Sequence, residues 1–227
     1  MNDKDWDRIS GKIKDLFAKE PSIIALYVYG SILTDKFNPQ KSDIDILIIS
    51  RDLADPVAFI RRLKIKGDKF SAGRLDINLV FLSEFKNRWH IYRPPSYFLG
   101  IKYRHRLIFG RDLLVSVKDR ELTVSQVYKR VVDLAQGSRG VYINGKEADF
   151  WRKKYAGWLR LAILEVLFLA GEFDLSFDTG VEKLIKKNKA LAPLRRLKKP
   201  DLALSEINEL AEKLRVHIHN NLLKSDR

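Results

Sequence analysis

The chain of 227 residues contains no cysteine and a single methionine. Without cysteine there is no disulfide, no thiol nucleophile and no thiolate metal site. Long hydrophobic runs are missing too. The longest nearly apolar stretch, residues 158–170, is interrupted by Arg160 and Glu165, and it is too short and too charged to cross a bilayer. No membrane partner is therefore expected. The opening MNDKDWDRIS is acidic and polar, which does not read as a signal peptide, so a cytoplasmic protein is expected. A GxxxxGK[ST] sequence is absent, which excludes phosphate binding through a P-loop. There is no internal repeat and no low-complexity linker.

What is present is an ordinary apolar complement and a large excess of positive charge. An apolar fraction of 45% with 32% charged residues belongs to a folded globular protein, and the length suits one large or two small domains. The net charge of +14 is spread along the chain: residues 1–120 carry 23 Lys and Arg against 15 Asp and Glu, and residues 121–227 carry 20 against 14. A basic surface attracts polyanions such as nucleotides, RNA or acidic lipid. A solvated, lysine-rich exterior accounts for the same numbers equally well.

The first half reads as α and β together. Trp6, Ile9, Ile13, Leu16 and Phe17 recur at helical intervals over residues 3–19, and Pro21 ends the pattern. Compact β-rich runs follow at 22–30, 43–50 and 74–82, with a turn at Asn38, Pro39 and Gln40 and a helix expected over 54–66. A mostly helical stretch broken at Pro94-Pro95 leads to a short strand at 107–109. The second half reads as helices at 124–136, 147–170, 180–188 and 202–223, punctuated by Gly137, Gly140, Gly145, Gly171 and Pro200. The expected fold class is α+β: a mixed sheet with flanking helices over residues 1–115, followed by an all-α bundle over 116–227.

Three features of the strands carry chemistry. Gly30-Ser31 ends the first run, Asp43-Ile44-Asp45 opens the second, and Asp76 stands inside the third. Side chains two apart on a strand share a face, with α-carbons roughly 6.5 to 7 Å apart. Two carboxylates so placed repel unless a cation lies between them, and hard oxygen donors suit Mg²⁺. Asp76, flanked by Leu75, Ile77 and Leu79, is a charge in a run that otherwise reads as a buried strand, which is costly unless it is paired or metal-bound. If the second and third strands are neighbours, Asp43, Asp45 and Asp76 converge and can hold two ions about 3.5 to 4 Å apart, the spacing used for in-line displacement at phosphorus. Gly30 lets backbone approach a ligand closely. Ser31 can open a short helix whose N–H groups face an anion, so a triphosphate held there leaves its α-phosphorus beside the metals.

The segment YGSILTDKFNPQKSDIDILII, residues 29–49, resembles the signature of the DNA polymerase beta-like nucleotidyltransferase superfamily. That signature is Gly-Ser, a gap (eleven residues here), Asp-x-Asp on a strand, and a third Asp on a later strand, the place filled by Asp76. The likeness is greatest to minimal nucleotidyltransferases and to kanamycin-type adenylyltransferases, which add a helical C-terminal domain. The motifs cover about residues 22–82, and RLIFGRDLL at 106–114 is similar to the end of such domains. The resemblance implies that Gly30 and Ser31 bind the triphosphate and that Asp43 and Asp45 bind both of two Mg²⁺ ions. Asp76 would bind one of them and help deprotonate the acceptor hydroxyl. It also implies transfer of a nucleoside monophosphate, with AMP the leading reading, to a small molecule or a protein side chain.

Related enzymes often bring a basic residue of the helical domain to the phosphates. Lys154, beside Lys153 and Tyr155, is the candidate for nucleotide binding, against a plain reading as a solvated first helical turn. A cleft between the two domains is expected there, the alternative being a cleft completed by a second copy in a homodimer. The basic stretch of Lys183, Lys186, Lys187, Lys189, Arg195, Arg196, Lys198 and Lys199 is a candidate RNA surface. Trp151 and Trp158, seven apart on one helical face, read as core. Two other functions compete: transfer to an RNA or tRNA end, and a non-catalytic nucleotide-binding antitoxin or sensor.

Overall fold

The computed structural model describes residues 3–34, 37–38, 42–88, 97–145, 148–173 and 176–223. The turn expected at Pro39 and Gln40 and the break at Pro94-Pro95 lie outside them. The described residues fall into two compact units, one running to Lys118 and the other beginning at Asp119.

The first unit is built on a four-stranded mixed sheet. Helix α1 (Asp3–Phe17) precedes strand β1 (Ile23–Tyr29), and β2 (Asp43–Ser50) leads through α2 (Pro56–Asp68) into β3 (Arg74–Phe81). Short helices α3 (Leu82–Asn87) and α4 (Tyr97–Tyr103) follow, then β4 (His105–Gly110). The strand order is β3-β2-β1-β4. β1 runs antiparallel to both of its neighbours, and β2 and β3 are parallel, which is why a helical crossover, α2, must separate them. The crossover starts cleanly: the Asp55 carboxylate accepts from the Ala58 N–H at 2.9 Å and Pro56 fills the first turn.

Alternation along the strands sends one set of side chains to the core under α1 and α2 and the other to the opposite face of the sheet, one end of which holds Asp43 and Asp45. Leu26 and Val28 of β1 and Ile44, Ile46 and Ile48 of β2 pack with Ile9, Ile13 and Phe17 of α1 and with Phe59 and Leu63 of α2. Each such side chain contributes about 1.5 to 3 kcal/mol by leaving water. Asp43, Asp45, Tyr27 and Tyr29 occupy the alternate positions.

β3 departs from expectation. It is an edge of the sheet, Leu75, Ile77 and Leu79 are only half-buried, and Asp76 is exposed. An edge strand covered on one side by α2 keeps solvent on the other, so the charge at Asp76 does not carry the desolvation cost expected of a buried strand.

The second unit is helical: α5 (Val124–Asn144), α6 (Ala148–Leu169), α7 (Phe177–Lys187) and α8 (Leu204–Ile218). α5 opens with a reciprocal cap, in which Gln126 N–H donates to Thr123 Oγ1 and Thr123 N–H donates to Gln126 Oε1. Gly137 and Gly140 do not punctuate this helix but lie inside it. At Gly137 a β-carbon would overlap the Tyr155 hydroxyl and stand 3.0 Å from its ring Cζ, so the missing side chain lets α6 approach α5. Between α7 and α8 the chain forms a 3₁₀ segment, Lys189–Lys198, that runs through Pro193. Its three-residue period puts Leu191, Leu194 and Leu197 in one buried row.

Candidate active site

Strand register assembles the site. Tyr29 of β1 lies opposite Asp45 of β2, and Asp45 is in register with Asp76 of the parallel strand β3. Asp43, two residues earlier on the same face, is in register with Arg74. Adjacent strands are separated by about 4.8 Å, so the backbone brings Asp43, Asp45 and Asp76 to one end of one sheet face. This is the neighbour relation that the sequence argument required.

Gly30 closes the site from the β1 side. It has a φ of +80°, and a β-carbon placed there would overlap the Oδ2 of Asp45 and stand 3.1 Å from its Cγ. Only glycine allows both the left-handed turn and the close approach of the Asp45 carboxylate. Gly30 begins a short 3₁₀ turn, Gly30–Leu33, as expected of Ser31, and Ile32 anchors the turn in the core. The Thr34 N–H and hydroxyl donate to the Ser31 carbonyl at 3.0 and 2.7 Å, which holds the turn closed. Next to it the Tyr29 and Tyr97 hydroxyls share a hydrogen bond of 3.2 Å.

Arg74, which sequence reasoning passed over, engages both oxygens of Asp43. Its Nε donates to Oδ1 and its Nη2 to Oδ2 at 2.9 Å. The hydrogen bonds from Arg74 hold the Asp43 carboxyl below its ordinary range, and the same contact raises the guanidinium. A signal was available: Arg74-x-Asp76 and Asp43-x-Asp45 are matching pairs if the two strands run parallel and in register. Among the described residues, no group of three His, Cys, Asp or Glu side chains is arranged to hold a metal ion. The three carboxylates share a surface without being gathered around one point, and Asp43 already answers a cation. As a donor set they suit a hard dication: carboxylate oxygens only, at an open sheet end, with Arg74 as the group that must yield.

The remaining candidates lie in the second unit. Lys154 is exposed on α6, its ammonium 5.5 Å from the centroid of the Phe150 ring. Trp151 and Trp158 are half-buried rather than core, 6.4 Å apart, and both rings stand against Tyr155. The basic stretch is partly neutralised within the fold. Glu182 receives Arg195 at 2.6 Å and Lys198 at 2.8 Å, Arg196 reaches Glu206 and Glu209, and Lys183 reaches Glu172 at 2.7 Å. Four of the eight cations expected to face RNA are thus engaged with carboxylates.

Residues 11–92 match the family described as Polymerase beta, Nucleotidyltransferase, in agreement with the resemblance carried by residues 29–49. Among solved structures, the chain is similar to a spectinomycin adenyltransferase from Enterococcus faecialis, crystallised with ATP and spectinomycin. The identity is 12%, the match covers 94% of this chain and 99% of that one, and the TM-score is 0.58. That likeness is one of fold. Two others are too distant to carry weight. One is a tri-AMPylated Shewanella oneidensis HEPN toxin in complex with MNT antitoxin, 18% identical over 61% of this chain and 96% of that one, with a TM-score of 0.31. The other is a nucleotidyltransferase-like protein from Exiguobacterium sibiricum, 15% identical over 97% and 75% of the two chains, with a TM-score of 0.35. A search of the curated proteins found no match.

Proposed function

We propose that the protein, whose residues 11–92 match the family described as Polymerase beta, Nucleotidyltransferase, transfers a nucleoside monophosphate, AMP foremost, from a nucleoside triphosphate to an acceptor hydroxyl. The observation that carries this reading is the packing of the Gly30-Ser31 turn against Asp45, with Asp76 in register beside it. The Gly30-Ser31 turn, as the candidate phosphate-binding element, and a pair of carboxylates share one end of the sheet.

Asp43, Asp45 and Asp76 would hold two Mg²⁺ ions, which when bound supply charge neutralisation for the triphosphate. The backbone at Gly30-Ser31 and the Ser31 hydroxyl bind the phosphate tail and orient its α-phosphorus toward the carboxylates. Asp76, exposed at the edge strand, can reach an acceptor from solvent and take the proton of its hydroxyl. The acceptor oxygen bonds to the α-phosphorus as the bond to the bridging oxygen breaks, and pyrophosphate leaves with that electron pair. The shared fold with an adenyltransferase crystallised with ATP and spectinomycin supports ATP as donor and a small molecule as acceptor. The ion pairs within the Lys183–Lys199 stretch weigh against an RNA acceptor.

The test is transfer of label from each α-labelled triphosphate in Mg²⁺ to a panel of aminoglycosides, RNA and cell extract. Label should move most readily from ATP to a small molecule. Asp43→Asn, Asp45→Asn and Asp76→Asn keep side-chain volume and remove a hard anionic ligand, so each should abolish transfer with an unchanged circular dichroism spectrum. Full activity in all three variants overturns the proposal.

A further inference from the structure

Three carboxylates at one open sheet end repel one another at neutral pH, and folding must place a cation among them or accept the repulsion. The chain supplies its own. Arg74 is in register with Asp43, two residues from Asp76 on the same face of β3, and its guanidinium takes both Asp43 oxygens. Its side chain is 80% exposed, against 37% for Asp43, so nothing packed around it fixes the guanidinium in place.

We propose that Arg74 is a resident counter-ion that occupies Asp43 in the ion-free protein and sets the dication concentration at which the site fills. The inference rests on the nucleotidyltransferase reading and adds a regulatory element to it. A dication that uses an Asp43 oxygen must displace one arm of the guanidinium fork, and the displaced charge then stands near the incoming ion. Arg74 therefore opposes metal binding at Asp43. Once freed, its exposed side chain can turn to an anion such as a triphosphate, because a fork that fits a carboxylate fits a phosphate as well.

Mn²⁺ alone is the probe, added to the nucleotide-free full-length protein at neutral pH, with the free ion followed by electron paramagnetic resonance. Arg74→Ala should bind Mn²⁺ about fivefold more tightly than wild type, the upper end for an exposed pair of good geometry. Arg74→Lys keeps the charge and loses the fork, so its affinity should fall between the two. The second readout is thermal unfolding. Without metal, Arg74→Ala should melt below wild type because Asp43 loses its counter-ion, and saturating Mn²⁺ should raise its midpoint by more than it raises that of wild type. Equal or weaker Mn²⁺ binding in Arg74→Ala overturns the role of Arg74 alone. Absence of Mn²⁺ binding in both proteins, or binding that Asp45→Asn leaves unchanged, overturns the metal-holding reading of the site together with it.

Discussion

Replacing Gly30 with alanine separates two demands that the site makes on one residue. At a φ of +80° an L-residue is strained by about 1 to 2 kcal/mol, and the new β-carbon collides with the Asp45 carboxylate. The obstructing atoms are the far end of a side chain, so the fold can relieve the clash by turning Asp45 away. The stability loss should thus stay near the backbone term. For a chain of this size that is a fall of about 2 to 8 °C in the melting midpoint, at 2 to 4 °C per kcal/mol. Activity should suffer much more, because a misplacement of about 1 Å among the groups that position the reactants costs on the order of 100-fold. Gly11 is the control. It lies in α1 with nothing within 4 Å of an added β-carbon, so Gly11→Ala should raise stability by about 0.5 to 1 kcal/mol and leave transfer unchanged. The assay pairs calorimetric unfolding with the labelled-transfer rate. Transfer by Gly30→Ala within threefold of wild type would falsify the claim that the approach of Asp45 to Gly30 matters for the reaction.

Two further perturbations probe the helical unit. Glu165 is fully buried and pairs with Arg130 at 3.5 Å, and burial pushes the Arg130 guanidinium down by more than Glu165 restores it. Glu165→Ala should cost about 3 to 5 kcal/mol by leaving that buried cation without its paired carboxylate, and the double variant Arg130→Met with Glu165→Leu should recover most of the loss, as read by chemical denaturation. A double variant no more stable than the single one would show that the pair is not the cause. Hydrogen bonds from Arg195, and then from Lys198, hold Glu182 down to about 2, against an ordinary value of 4.5. Because its folded value is depressed, the stability it contributes is fully present above about 4.5 and is lost as the pH falls toward 2. The gap between wild type and Glu182→Gln should therefore close across that window, and a gap of constant size would contradict the assignment.

Features that depend on residues close together in the chain were legible. The strands at 23–29, 43–50 and 74–81 stand within a residue of the expected runs, because each is a β-rich segment bounded by glycine, proline or a polar turn. Gly30-Ser31 and Asp43-x-Asp45 could be read because both arrangements are local, a turn at a strand end and two side chains on one face. Where tertiary packing overrode propensity, the reading failed. Gly137 looks like a helix stop from its cost of about 1 kcal/mol relative to alanine. The closeness of Tyr155, 18 residues away, makes it a contact instead. The 3₁₀ segment at Lys189–Lys198 escaped for a different reason, since a leucine every third residue fits neither a 3.6-residue nor a two-residue period.

Asp76 and Arg74 mark the limit of what sequence can yield. Apolar neighbours on either side of Asp76 are compatible with a strand buried on both faces and with an edge strand covered on one, and those alternatives give the aspartate opposite environments. The choice is made by strand order, a property of the whole sheet. Once β3 lies at an edge and runs parallel to β2 in register, the consequences are fixed together: Asp76 is open to solvent, Asp45 stands beside it, and Arg74 meets Asp43. A one-residue slip of β3 would turn Arg74 and Asp76 onto the core face and present Leu75 and Ile77 to the site. The packing of Ile77 against α2 opposes that slip: a β-carbon added at Gly67 would stand 2.8 Å from the Ile77 Cδ1, so the helix approaches the strand at a glycine. The charges of the site are thus held in register by an apolar contact on the opposite face of the same strand.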